Sequence, residues 1–200
     1  MDFLLNEYNR RKDIIKSRLQ DFSKIQKDDY FYEACFCLLT PQSSAKQCWK
    51  ATLSLKENDF LNKNLNPINF ISDKIRFHNN KSKYLLELKE KWDLIRKNLQ
   101  EIKDTKELRE FLVKNVKGYG YKESSHFLRN IGFRDLAILD RHILKNLYKN
   151  NVISELPNTL TPKKYFEIET KFKDFSKKIN ISMDELDLLF WSLETGEVFK

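Results

Sequence analysis

Lys122 directly follows a Gly-Tyr-Gly-Tyr run in "VKGYGYKESSHFLRNIG", residues 116–132, a stretch that holds three of the four glycines in this 200-residue chain. Two apolar-periodic segments flank the run, so it reads as a hairpin between helices, with glycine supplying positive φ where the chain reverses. The second helix then begins beside Lys117 and Lys122, and its unpaired amides and positive dipole end make a ready phosphate site. Eighteen residues beyond Lys122 stands Asp140, in "LAILDRHIL" just before a helical run. An aspartate there is a natural N-cap for the amides of residues 141–143. Taken separately, each residue has an ordinary role, the lysine as a solvated or phosphate-contacting cation and the aspartate as a cap.

Other chemistry-bearing residues form no comparable pattern. Cys35, Cys37 and Cys48 are three in number, and Cys-x-Cys without a second pair is poor spacing for zinc, so buried reduced thiols are expected. His78, His126 and His142 make no metal motif. Neither a metal nor another cofactor is expected.

The elements that must position Lys122 and Asp140 are all helical in their periodicity. Helices are expected over about 2–20, 28–39, 43–56, 80–99, 105–116, 121–131, 140–149, 161–179 and 183–194. Thr161 with Pro162 reads as an N-cap followed by proline at the first helical position, and Ser182 with Glu185 as a capping box. Connections are expected around Pro67 and around Pro157, the second as a seam between lobes.

Composition fits a folded protein with a basic surface. Hydrophobic residues make up 40 % and charged residues 33 %, and 37 Lys and Arg against 29 Asp and Glu leave a formal charge of +8. Between residues 114 and 149 eight Lys or Arg face three acidic residues, so the excess gathers around the hairpin. A polyanionic partner is favoured, nucleic acid first, with affinity that falls steeply as salt rises. The N-terminus is charged from its first turns and no run approaches a membrane span, so a cytoplasmic protein without membrane association is expected.

The hairpin lysine and the later aspartate together resemble the helix-hairpin-helix superfamily of DNA base-excision glycosylases, in its lysine-bearing bifunctional branch. Within it, five blocks in order are similar to the second, archaeal-type family of 8-oxoguanine DNA glycosylase/AP lyases. They are "LLTPQSSAKQCW" (38–49), "RFHNNKSKYL" (76–85), "VKGYGYKESSHFLRNIGF" (116–133), "LAILDRHIL" (136–144) and "FWSLETGEVFK" (190–200). The iron–sulfur loop of the related endonuclease III branch needs four cysteines, and none follows Cys48 here.

The resemblance implies a role for each matched residue. Lys122 takes the place of the nucleophile that attacks C1′ and forms a Schiff base once the damaged base has left. Free lysine is almost wholly protonated at neutral pH, so such a nucleophile needs desolvation or cationic neighbours; Lys117, Arg141 and the helix dipole are expected to supply them. Asp140 takes the place of the essential carboxylate, which stabilises the cationic sugar and assists proton movement. Lys117, Gly118 and Gly120 belong to the DNA-contacting hairpin. Gln42 matches the side chain that fills the gap left by an extruded base. Trp191 and the terminal Lys200 match a base pocket that the chain's own end enters, with an aromatic ring on the purine and the terminal carboxylate accepting from it. Arg76, Phe77 and Lys81 match a block near the pocket without individual roles.

The expectation is therefore an all-α, two-lobed helix-hairpin-helix DNA glycosylase fold without an iron–sulfur cluster. Residues 36–135 form a helical lobe carrying the motif at about 105–131, and residues 1–35 with 136–200 form the other. The resemblance places a DNA cleft between them, with Lys122 on one wall and Asp140 on the other. It implies a monomer that acts on double-stranded DNA containing 8-oxoguanine, in the cytoplasm at the nucleoid, by base excision and β-elimination. A glycosylase for another lesion, or a non-catalytic DNA-binding module, are the alternatives.

Overall fold

The structure is a computed structural model that describes residues 2–200, and every regular element among them is helical. Two compact units divide the chain, one built from residues 1–24 with 128–200 and the other from residues 25–127.

The central unit is organised by α2 (Tyr30–Leu39), whose sequence YFYEACFCLL is apolar around nearly its whole circumference and is buried from Phe31 to Leu39. A helix with no polar face must be enclosed by others. It packs against α3 (Ala45–Glu57) and α5 (His78–Glu90), with the one-turn α4 (Ile68–Ile71) joining them. The single helix expected over 80–99 is two, because α5 ends at Glu90 and α6 begins at Trp92. Trp92 is the reason: its ring is buried edge-on against Phe31, centroids 5.2 Å apart, and Phe31 also stacks on Phe60. A straight continuation would not deliver both the α5 stripe of Leu85 and Leu88 and this indole to the core. Helices α7 (Thr105–Asn115) and α8 (Tyr121–Asn130) complete the unit, and α8 runs past its boundary.

The other unit joins α1 (Asp2–Ser23) to α9 (Arg141–Lys149), α10 (Pro162–Ile179) and α11 (Met183–Thr195). Start signals read from sequence are present as geometry. Thr161 Oγ1 accepts from the Lys164 amide, and Ser182 and Glu185 form both bonds of a capping box. Glu185 also accepts from the Tyr8 hydroxyl at 2.7 Å, tying α1 to α11. The Pro157 segment is no seam, since it lies within this unit between α9 and α10. Its Ile153 is buried, and α10 returns onto the preceding chain, where the Tyr165 hydroxyl donates to Ala137 O at 2.6 Å and the Ala137 amide to Glu169. The unit limits also differ from the expected 36 and 135. Residues 30–35 begin α2 and belong with its core, whereas Arg134 fastens to Leu19 O and Ser23 Oγ at the end of α1.

Candidate active site

The hairpin between α7 and α8 is built from local parts. Asp104 caps α7 by accepting from the Glu107 amide at 2.8 Å. After Val116 the chain reverses at Gly118, whose φ of +89° is open to glycine and strained for other residues. A Cβ there would lie 2.7 Å from the Tyr84 ring. Gly120 was expected to share this duty and does not, because its φ is not positive. Its amide instead donates to Glu123 Oε2 at 3.1 Å, and a Cβ would crowd that carboxylate at 3.3 Å. Tyr119 points inward, its hydroxyl donating to Ala34 O at 2.8 Å on α2, and Arg109 bridges α7 to the Ser125 hydroxyl of α8.

Lys122 sits in the first turn of α8 with its side chain 22 % exposed, and its Nζ lies 3.4 Å from Glu123 Oε1. One carboxylate thus meets both the hairpin amide and the candidate nucleophile. Lys117 is exposed on the hairpin. A second lysine of this unit, Lys81 of α5, is buried. Burial pushes the Lys81 ammonium down to about 8, against the pull of Cys48, and the charges of Lys122 and Arg76 push the same way. The buried Cys48 thiol is raised to about 11 by burial, opposed by Lys81 and Lys122. All three cysteines are buried and in no disulfide, as expected.

Gln42 lies in the turn between α2 and α3, exposed, with a left-handed φ of +55°. A non-glycine residue in that region is uncommon and points to a constraint the surroundings impose. Phe77, without an expected role, is likewise left-handed and 54 % exposed, with the Arg76 guanidinium over its ring.

In the other unit Asp140 caps α9 as read from sequence. Its Oδ1 accepts from the amides of His142 at 2.8 Å and Ile143 at 2.9 Å. Among the described residues no hydrogen bond reaches Oδ2, so one oxygen orients the carboxylate and the other is presented. Trp191 and the C-terminal residues come together, because Gly196 turns the chain at φ +88° and Phe199 stacks on the Trp191 ring with centroids 6.2 Å apart. Lys200 is half-buried. Lys145, Lys149 and Asn146 of α9 all donate to Glu194 in the last turn of α11, whose carboxyl falls to about 2 chiefly through the Lys145 bond. This anchor, absent from the sequence reading, ties the helix that Asp140 caps to the helix that leads into the tail. His126 is buried edge-on against Phe36, a packing position. No group of three or more metal-ligating side chains occurs among the described residues.

A lysine in the first turn after a helix hairpin, with a capped aspartate further along an all-helical chain, is the arrangement that the resemblance to helix-hairpin-helix DNA glycosylases implies. The family model for 8-oxoguanine DNA glycosylase matches residues 15–181. Among curated proteins, the 8-oxoguanine DNA glycosylase/AP lyase of Fusobacterium nucleatum is 47 % identical, with 96 % of this chain and 94 % of that protein covered. Its counterpart from Methanocaldococcus jannaschii is 40 % identical over 94 % of this chain and 93 % of that one. The M. jannaschii 8-oxoguanine glycosylase/lyase, solved with a 15mer DNA containing 8-oxoguanine, superposes with a TM-score of 0.87 at 35 % identity, covering both chains fully. The chain belongs to the 8-oxoguanine DNA glycosylase family.

Proposed function

We propose that this protein excises 8-oxoguanine from double-stranded DNA and cleaves the abasic site by β-elimination, with Lys122 as nucleophile and Asp140 as the assisting carboxylate. The relatives at 47 % and 40 % identity are 8-oxoguanine DNA glycosylase/AP lyases, and coverage is nearly complete in both directions. The observation that carries the reading is the placement of Lys122, partly exposed at the start of α8, directly after the hairpin.

In this mechanism the Lys122 amine attacks C1′, the bond to the base breaks, and the sugar opens to an imine on Nζ. Loss of a C2′ proton then expels the 3′ phosphate. Asp140, held by two amides, presents Oδ2 as a fixed negative charge for the cationic sugar and as a proton acceptor. The Gly118 turn and the amides opening α8, with Lys117, hold a backbone phosphate. Gln42 fills the gap in the duplex, and Trp191 with Lys200 forms the purine pocket. Among the described residues no helix is long and apolar enough to cross a membrane. A cytoplasmic monomer working at the nucleoid is part of the same reading.

Borohydride trapping of the untagged protein on a duplex with 8-oxoguanine opposite cytosine tests it. The expected result is a covalent adduct that is absent on undamaged guanine and absent with Lys122→Gln, and base excision reduced on the order of 10²–10⁴-fold by Asp140→Asn. An adduct on a pre-formed abasic site alone would assign another lesion. None on either substrate would reduce the hairpin to DNA binding.

A further inference from the structure

Lys81 is a buried lysine, 5 % exposed, in the first turn of α5. Its ammonium donates to Leu39 O at 2.7 Å, to Pro41 O at 2.7 Å and to Ser43 Oγ at 3.1 Å. An ammonium has three N–H bonds, and all three acceptors come from one five-residue stretch about forty positions away. Leu39 closes α2, so the cation also sits where that helix leaves carbonyls unpaired and its dipole is negative.

The stretch so gripped carries Gln42. The Ser43 amide donates to Thr40 O at 3.0 Å, making a turn with proline second and Gln42 third. A left-handed third position is one that type II turns give to glycine or asparagine. The strained peptide is clamped on both sides of Gln42, by the Pro41 carbonyl before it and the Ser43 hydroxyl after it. The same hydroxyl accepts from the Arg76 amide at 3.1 Å, so the clamp is fixed at its base as well.

We propose that Lys81 is the positioning residue of the Gln42 turn, its buried ammonium holding residues 39–43 so that the Gln42 side chain stands ready to enter the duplex. This rests on the reading of Gln42 as the gap-filling side chain. A buried ammonium is retained only where its hydrogen bonds are complete. Burial lowers its proton affinity to about 8, and the three hydrogen bonds hold the cation in place against that cost.

The test compares single-turnover excision from the 8-oxoguanine·cytosine duplex with excision from the same strand unpaired, where no gap needs filling. Wild type, Lys81→Met, Ser43→Ala and Gln42→Ala are measured. A 2-aminopurine beside the lesion reports base extrusion, and thermal melts report folding. Lys81→Met is expected to slow duplex excision between about 10- and 100-fold, the effect of misplacing a group by roughly an ångström. It should stay within about threefold of wild type on the single strand and diminish the 2-aminopurine rise. Ser43→Ala, which removes one of three acceptors, should show a smaller loss of the same selectivity, and it decides the matter if Lys81→Met does not fold. Loss on duplex for Gln42→Ala alone would overturn the proposal while keeping Gln42 in its role. Equal loss on both substrates for Lys81→Met would overturn it in favour of an effect on the chemistry. Intact duplex excision by Gln42→Ala would remove the gap-filling reading itself, and the proposal with it.

Discussion

Two turns in the central unit each contain one left-handed residue, Gly118 in one and Gln42 in the other, and they are held in different ways. The hairpin at 116–121 is made by its own chain: Gly118 takes the positive φ, and Glu123, three residues on, accepts from Gly120 and pairs with Lys122. The turn at 40–43 assigns its left-handed position to Gln42, which is strained there, and relies on Lys81 of a distant helix to hold it. In the first turn the unusual backbone is relieved by the residue that occupies it. In the second the strain is kept, which is the pattern of a position retained for its side chain.

Alanine at Gly118 breaks the comparison most severely. The new Cβ would meet the Tyr84 ring at 2.7 Å on a backbone at φ +89°. Left-handed strain and overpacking together predict a loss of about 2–4 kcal/mol, read as a fall in the urea midpoint. A loss under about 0.5 kcal/mol would mean that the hairpin is no more constrained than an ordinary surface turn.

Next in size is a pH effect confined to the tethered turn. The folded Lys81 ammonium titrates near 8, below the usual value for lysine. Between that pH and about 10.4 the unfolded chain binds more protons at this position, so its contribution to stability rises with pH, by at most about 1.4 kcal/mol per unit. Below pH 8 both states are charged and the burial penalty is felt in full. Urea melts at pH 7.5 and 9.5 should show wild type gaining on Lys81→Met, and parallel curves would place the ammonium in solvent. Duplex excision should fall over the same range, because a neutral amine has two N–H bonds for three acceptors.

The same contrast explains what could be read from sequence. Asp140, Thr161 with Pro162, and Ser182 with Glu185 are caps whose partners lie within three residues, and each is present. The hairpin was legible for that reason, although Gly120 proved to make room for Glu123 instead of taking a positive φ. What escaped has long-range causes. The break between α5 and α6 follows from Trp92 meeting Phe31, and the hydrogen bonds of Lys81 run to two carbonyls and a hydroxyl 38–42 positions away. No periodicity encodes such pairs. A lysine on an otherwise apolar side of α5, shared with Leu85 and Leu88, was the available hint.

The smallest effect separates the two turns most cleanly. Glycine at Gln42 removes the left-handed strain, worth roughly 1–2 kcal/mol. It also adds unfolded-state freedom of about 0.5–1 kcal/mol. The difference leaves Gln42→Gly between equal to wild type and about 1.5 kcal/mol more stable, where Gly118→Ala melts far below. Duplex excision should fall nonetheless, with single-strand excision kept. A protein that is at least as stable yet slower on duplex would show that the turn at 40–43 tolerates a poor backbone residue for the sake of its amide. A marked loss of stability would instead make Gln42 a structural member of the turn, and the two turns would then differ only in which residue happens to fill the left-handed place.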